Sequence, residues 1–576
     1  MNTNKIGIRN LAEICERKGV RHAIISPGSR NAPLTLAFIQ QANIECISIV
    51  DERSAAFFAL GIAQQTRTPV VLVCTSGSAV LNYGPAIAEA FYQKIPLIVL
   101  TADRPNEWID QGENQSIHQY RVYHNYIKKS FELPVEPISE KDIWYSDRLI
   151  NEAINIACYP EYGPVHINIP LREPLYDSTE EVNPYPPKII DTIQYQPSLN
   201  KESKQMLLKK WQVAKRKMII CGAETVQEDL IELIKAFSQD PSVIILSEAN
   251  SNILLDRNDH ISCIDRAIEV ISKHSLIEFQ PEVILTFGGG LVSKKIKFLF
   301  RSVSNYEHWH LTLANEHWDT FQNLSYVINE PVGSFLAMLL SEKNESSSSF
   351  KQDWITLNNQ LEAYHQAYLK NLHFCDFKVF EYLTKTFPLH SNVQYGNSTP
   401  IRYANLFETI ESLQLSINAN RGVSGIDGVT STAAGAAYVR KDKPTICVTG
   451  DLAFFYDSNA LWNHYLESNF KIIVINNGGG NIFRIIPGPS SMQHFEEFIE
   501  TKHNASIALL TQSFGIKHYF CDSLKTLEDI LPEFYSNTKK ASVLEIKTDA
   551  SYSAEALKNY FTFITNQYEQ EAVANN

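Results

Sequence analysis

The sequence predicts an α/β protein built from three doubly wound parallel-sheet units, and three observations carry that expectation. Apolar β-like runs without polar alternation recur, as at 22–25, 69–74, 96–101 and 217–221. Helix-like segments separate them. The runs then end in loops rich in Gly, Ser, Asp and Asn. A parallel sheet covered on both faces needs continuous apolar strands, because neither face meets water. Ligands of such sheets bind outside the carboxyl ends of the strands, where these loops lie.

In chain order, residues 6–18 read as an amphipathic helix and 22–25 as a strand broken by Ser26-Pro27-Gly28-Ser29-Arg30. The strand 44–50 ends at Asp51-Glu52-Arg53, and the helix 54–64 carries small residues along one side. The strand 69–74 leads into Thr75-Ser76-Gly77-Ser78 and an Ala-rich helix through Tyr92. Strands at 96–101 and within 163–170 complete a first domain, 1–175. Residues 176–198 lack periodicity and are expected to be a surface linker. A central domain, 199–341, has strands at 217–221, 242–246 and 281–287. The last runs into Gly288-Gly289-Gly290, whose spacing does not match Gly-x-Gly-x-x-Gly opening a helix, so no nucleotide site is expected. A second linker, 342–352, contains four serines at 346–349. The third domain, 353–576, starts with a helix at 354–369 and has a late strand at 543–547.

The 64 acidic and 51 basic residues leave a formal net charge of −13, which argues against general nucleic-acid binding. Nine cysteines are scattered without a Cys-x-x-Cys pair. A zinc site or disulfide framework is therefore not expected, and a reducing cytoplasm fits. There is no apolar signal core at the N-terminus and no run near the ~18 apolar residues of a membrane span.

The strongest chemical signal lies in the third domain. Thr449-Gly450-Asp451-Leu452 follows one apolar run, and Asn476-Asn477-Gly478-Gly479-Gly480 follows the next. Two parallel strands joined by one crossover would bring both loops to one sheet edge. A carboxylate, an amide oxygen and a glycine-opened backbone there make an oxygen-only site, suited to Mg²⁺ bridging to phosphate. Either dipeptide alone is an ordinary turn. Asp51-Glu52-Arg53 likewise reads as common helix-start acids when taken alone.

Taken together, the Gly-Asp and Asn-Asn strings resemble the thiamine-diphosphate enzymes. Further strings narrow the resemblance: Ser26-Pro27-Gly28-Ser29-Arg30, Thr75-Ser76-Gly77-Ser78-Ala79, Thr101-Ala102-Asp103-Arg104-Pro105, Gly112-Glu113-Asn114-Gln115, Asn397-Ser398 with Arg402, and Asn420-Arg421-Gly422-Val423-Ser424-Gly425-Ile426-Asp427-Gly428. They are similar to the 2-succinyl-5-enolpyruvyl-6-hydroxy-3-cyclohexene-1-carboxylate synthases of menaquinone biosynthesis. The resemblance implies thiamine diphosphate with Mg²⁺ or Mn²⁺ as cofactors, and 2-oxoglutarate and isochorismate as substrates. It implies a homodimer or homotetramer whose cofactor lies between the first domain of one chain and the third of another.

By the same resemblance, Glu52 is the catalytic acid that hydrogen-bonds the cofactor's aminopyrimidine. Ser29, Arg30, Arg104, Asn114, Gln115, Lys294, Ser398, Arg402 and Arg421 bind substrate. Ile426, Asp451, Leu452, Ala453, Asn477, Ile482 and Phe483 bind cofactor, and Asp451, Asn477 and the Gly479 carbonyl hold the metal. Leu452 replaces the third Gly of the broad superfamily motif, and Gly478 stands where Asp or Asn is more usual. The register of Asn476 against Asn477 stays open at this point. Two other readings remain: an acetolactate-synthase-like enzyme acting on pyruvate, and a non-catalytic scaffold of the same fold.

Overall fold

Three six-stranded sheets, each wholly parallel, follow one another along the chain. The computed structural model describes residues 2–223, 228–274, 277–341 and 347–574. In the first sheet the strands lie side by side as Glu45–Ser48, His22–Ile25, Val70–Cys74, Leu97–Asp103, Val165–Pro170 and Ser130–Glu132. In the third they run Ser416–Ala419, Asn392–Tyr395, Thr445–Gly450, Phe470–Asn476, Ser542–Lys547 and Lys517–Cys521. Numbered by chain order within each sheet, both read 2-1-3-4-6-5. The shared strand–helix rhythm of the two end domains is thus a shared topology.

The central sheet reads 3-2-1-4-5-6, the order of dinucleotide-binding sheets. Its glycine-rich loop leads from the strand Val283–Phe287 toward the helix Lys294–Ser302. A phosphate would sit at the start of such a helix. Here Glu248 takes that place. Its carboxylate accepts Val292 N–H and Ser293 N–H, each at 2.6 Å, and it is buried.

Local chemistry explains where the elements start and stop. The helix Glu52–Thr66 begins two residues before the expected 54, because Asp51 caps it by accepting Ser54 N–H at 3.1 Å. The expected single Ala-rich helix is two, Ser78–Asn82 and Gly84–Gln93. Pro85 has no N–H to continue the first helix but suits the first turn of the second. The three-residue strand Ser130–Glu132 was not expected; it is too short for periodicity to reveal. The segment after the first sheet is mostly irregular, with Ser178–Thr179 pairing antiparallel to Asn2–Thr3. Of the expected second linker, 342–346 lie outside the described residues. Its last three residues, 350–352, already belong to the helix Phe350–Lys370.

The first and third domains share one apolar core. Its centre is the contact between Glu52–Thr66 and Val429–Val439, topologically equivalent helices of the two sheets. A Cβ at Gly61 would lie 2.0 Å from the Thr432 carbonyl oxygen, and one at Gly435 would lie 2.0 Å from that of Phe58. Only glycine permits this approach. Ser54 Oγ and Ser431 Oγ meet at 2.9 Å near the starts of the two helices. The loops that carry Glu52 and Ile426 are therefore tied to one rigid pair.

Candidate active site

Thr445–Gly450 and Phe470–Asn476 are adjacent and in register, with Gly450 opposite Ile475. The loops that follow them meet. Asp451 is 2% exposed, and its Oδ2 accepts Gly478 N–H at 2.6 Å and Gly479 N–H at 3.0 Å. Its Oδ1 accepts Leu452 N–H at 2.7 Å. Gly478 and Gly479 have φ of 82° and 158°. The Gly478 conformation explains why Gly suits a position where Asp or Asn is more usual.

The two asparagines are held differently. Asn476 Nδ2 donates to Glu545 at 2.6 Å, and its Oδ1 accepts from Lys547 and Gly478 N–H. Asn477 Nδ2 donates to Asp376 Oδ2 at 3.0 Å, while Asn477 Oδ1 is buried without a hydrogen-bond partner. An orphaned amide oxygen beside a buried carboxylate fits a hard divalent cation. Among the described residues, no group of three or more His, Cys, Asp or Glu could hold a metal. A metal at this edge would draw on the single Asp451 carboxylate together with amide, backbone and phosphate oxygens.

At the first sheet's edge, Glu52 opens its helix half-buried, with Oε2 accepting from Asn82 Nδ2 at 3.1 Å. Its neighbours reach into the third domain. Arg53 donates to the Tyr456 carbonyl at 2.7 Å, and Asn459 Nδ2 donates to Asp51 Oδ2 at 2.6 Å. Asp457, behind them, accepts from Ser431 N–H and Oγ, and burial pushes its carboxyl up to about 7.

Arg30 feels the charge of Arg104, and Arg402 that of Arg421, with carboxylates near each. Arg30 is 6% exposed and donates to the Leu171 carbonyl at 2.8 Å, with Glu173 at 3.4 Å. Burial, and then the Arg104 charge, pull it below the usual guanidinium range. Arg104 donates from Nε to the Asn114 carbonyl at 3.0 Å and pairs with Glu113 at 3.2 Å. Next to Arg104 in the chain, burial pushes Asp103 up to about 6, while its carboxylate accepts from Asn168 and Arg104 N–H. In the third domain, Arg402 donates to the Ser398 carbonyl and Arg421 to Asn397 Oδ1 at 3.1 Å. Burial, and then Arg421, lower Arg402; burial lowers Arg421, against the Glu248 and Glu89 charges. Arg421 Nε is buried without a partner.

Three family models of thiamine pyrophosphate enzymes match in turn: the N-terminal TPP binding domain over residues 7–122, the middle domain over 188–393 and the C-terminal TPP binding domain over 404–546. A Flavobacterium johnsoniae protein named 2-succinyl-5-enolpyruvyl-6-hydroxy-3-cyclohexene-1-carboxylate synthase is 42% identical over 562 residues, covering 97% of this chain and 98% of its own. Proteins of the same name from Christiangramia forsetii and Porphyromonas gingivalis are 40% and 36% identical, each with 98% of this chain covered. The chain belongs to this synthase family. It is a thiamine-diphosphate-dependent enzyme, as the resemblance implied.

Within this synthase fold the other expected residues follow strands of the two end sheets, except Lys294, which belongs to the central domain. Ser29 is exposed beside Arg30. Gln115 has φ 51°, and its backbone packs where a Gly77 Cβ would lie. Ser398 has φ 73° and starts the helix Thr399–Ala404. Lys294 is exposed in the first turn of its helix, whereas the more covered Lys297 feels both Glu248 and Arg421. Ile426 is 38% exposed on a loop that Asn397 Nδ2 ties down by donating to the Asn420 and Gly425 carbonyls. Ile482 and Phe483 open a short helix next to the Gly480–Glu500 backbone bond, and Ala453 is buried beneath Leu452.

Sequence reasoning missed Asp376, Glu89, Glu248, Lys297 and His503, whose Nε2 lies 3.4 Å from Asp451 Oδ2. Each acts through a long-range contact, and no local pattern marks it.

Proposed function

We propose that this chain decarboxylates 2-oxoglutarate and adds the resulting succinyl unit to isochorismate, giving 2-succinyl-5-enolpyruvyl-6-hydroxy-3-cyclohexene-1-carboxylate and carbon dioxide. The observation that carries the substrate class is four arginines, Arg30, Arg104, Arg402 and Arg421, on segments that follow strands of the two end sheets, with Arg421 Nε buried and without a hydrogen-bond partner. Planar forks bind carboxylates in bidentate fashion, and both substrates are dicarboxylates. Pyruvate has one carboxylate and would leave such a set unmatched.

The metal would rest on Asp451, Asn477 Oδ1 and the Gly479 carbonyl. Bound thiamine diphosphate would supply the nucleophilic carbon that adds to the ketone and the cationic ring that takes up the electron pair as carbon dioxide leaves. Glu52 would hold a proton against the aminopyrimidine ring nitrogen, with Asn82 Nδ2 donating to its Oε2. Ile426 would press on the cofactor from its exposed loop, with Leu452, Ala453, Ile482 and Phe483 beside it. Ser29, Asn114, Gln115, Lys294 and Ser398 would orient substrate around the arginines.

The reading includes a homodimer, or a homotetramer built from it, with Glu52 of one chain facing the Asp451 edge of another. Exposed apolar side chains beside the Glu52 segment support it: Val50, Leu81, Tyr456 and Trp462. No helix among the described residues is long and apolar enough to cross a membrane, and a cytoplasmic location belongs to the proposal.

The test is carbon dioxide release. Release from 2-oxoglutarate without release from pyruvate supports the reading, and the reverse pattern sinks it. Glu52→Gln is expected to retain thiamine diphosphate binding and lose about a hundredfold or more in rate. Unchanged turnover removes Glu52 from its role.

A further inference from the structure

The loop that carries Arg421 and Ile426 is fastened by another domain. Glu89, on the first-domain helix Gly84–Gln93, is 2% exposed. Its Oε1 accepts Gly422 N–H at 2.6 Å, and its Oε2 accepts Val423 N–H at 2.7 Å and Ser424 N–H at 3.2 Å. Gln93 Nε2 donates to the same carboxylate at 2.5 Å. Sterics give an independent sign of the fit. A Cβ at Gly422 would lie 2.6 Å from the Glu89 carbonyl oxygen and 3.0 Å from Tyr92 Cβ. Ser424 sits at φ 69°, a conformation that a free loop would leave readily.

The contact has a counterpart across the domain pair. The Tyr456 carbonyl and the Asn459 amide, which follow the third strand of the third domain, hold Arg53 and Asp51. Glu89 follows the third strand of the first domain. Each domain thus fastens the loop after the other's second strand: one carries Glu52, the other Arg421 and Ile426. Glu89 does not form an ion pair with Arg421. Its oxygens face backbone N–H groups, so its charge favours the guanidinium without occupying the guanidinium's donors.

We propose that Glu89 is a positioning residue for the substrate reaction: the first domain of a chain sets the geometry of its own third-domain loop, and through it the aim of Arg421. The inference rests on the assignment of Arg421 to substrate made above.

The test uses full-length wild type, Glu89→Gln, Gly422→Ala and Tyr438→Phe. Glu89→Gln keeps the size but turns an NH₂ toward N–H donors. Gly422→Ala pushes the same segment off Glu89 from the other side, and it decides the matter if Glu89→Gln does not fold. Tyr438→Phe removes a different bond between the same two domains, the one to Glu45. Amide hydrogen exchange read by mass spectrometry is expected to speed up about tenfold or more in the peptide spanning 420–426 for the first two variants and not for Tyr438→Phe. In steady state, KM for a carboxylate substrate is expected to rise about tenfold in those two variants, with a smaller change in kcat. Unchanged exchange at 420–426, or equal KM shifts in all three variants, overturns the proposal. The exchange readout needs no turnover. If the wild type makes no product, the proposed function falls while the Glu89 contact is still judged.

Discussion

Asp376 holds the amide of Asn477 and leaves its oxygen free. Asn477 Nδ2 donates to Asp376 Oδ2 at 3.0 Å, and Asp376 also accepts from Thr548 Oγ1 at 2.5 Å. The bond fixes which end of the amide faces the Asp451 edge. Outer groups of this kind orient ligands and tune affinity. Asp376→Asn is expected to weaken Mg²⁺-dependent thiamine diphosphate binding by about tenfold to a hundredfold. Titration of cofactor binding against Mg²⁺ checks it, and unaltered Mg²⁺ dependence counts against the role.

The same geometry separates the two asparagines. Asn477→Ala is expected to lose most metal-dependent cofactor binding. Asn476→Ala loses its bond to Glu545 and is expected to cost about 1–2 kcal/mol of stability while retaining Mg²⁺ dependence. The opposite pattern in cofactor titrations would move the ligand to Asn476.

Arg421→Ala is expected to raise KM for at least one substrate about tenfold or more, since hydrogen bonds to charged groups contribute about 1.5–3 kcal/mol. Arg421→Lys is expected to recover only part of this, because a point charge lacks the fork. Steady-state kinetics over both substrates measure the split between KM and kcat.

Glu248 makes stability depend on pH. Burial pushes its carboxyl up to about 7 from 4.5, despite its bonds to Val292 and Ser293 N–H. A raised folded value means that folding favours the protonated form. That contribution is complete below about pH 4.5 and is lost as pH rises through about 7, a span worth roughly 3 kcal/mol. The stability difference between wild type and Glu248→Gln is expected to move against the wild type between pH 5 and pH 8. Denaturant melts at both values measure it, and a constant difference contradicts it.

The helix pair that ties the two end domains should not tolerate a methyl group. Gly61→Ala places a Cβ 2.0 Å from the Thr432 carbonyl oxygen. The expected loss is about 3 kcal/mol or more, because backbone on both sides must move. A melting temperature within about a degree of wild type contradicts this packing.

Much of this architecture was legible in the sequence because strands buried on both faces leave continuous apolar runs, such as Val70–Cys74. The loops after them announced themselves through Asp451, Asn477 and Glu52. The three-residue strand Ser130–Glu132 and the break at Pro85 fall below the length over which periodicity speaks. Asp376 lies 101 residues from Asn477, and Glu89 lies 333 from Gly422. Such partners are chosen by the fold, so no spacing rule reaches them. Asn477 was preferred over Asn476 by motif position alone; the Glu545 and Asp376 contacts that hold the two amides differently exist only once the sheet has formed.

The most direct measurement is mass analysis of the product formed by wild-type protein from 2-oxoglutarate and isochorismate with Mg²⁺ and thiamine diphosphate. The expected result is one product with the mass of 2-succinyl-5-enolpyruvyl-6-hydroxy-3-cyclohexene-1-carboxylate, dependent on both substrates and lost in Glu52→Gln. Consumption of 2-oxoglutarate without incorporation of isochorismate, or turnover of pyruvate alone, would contradict the account.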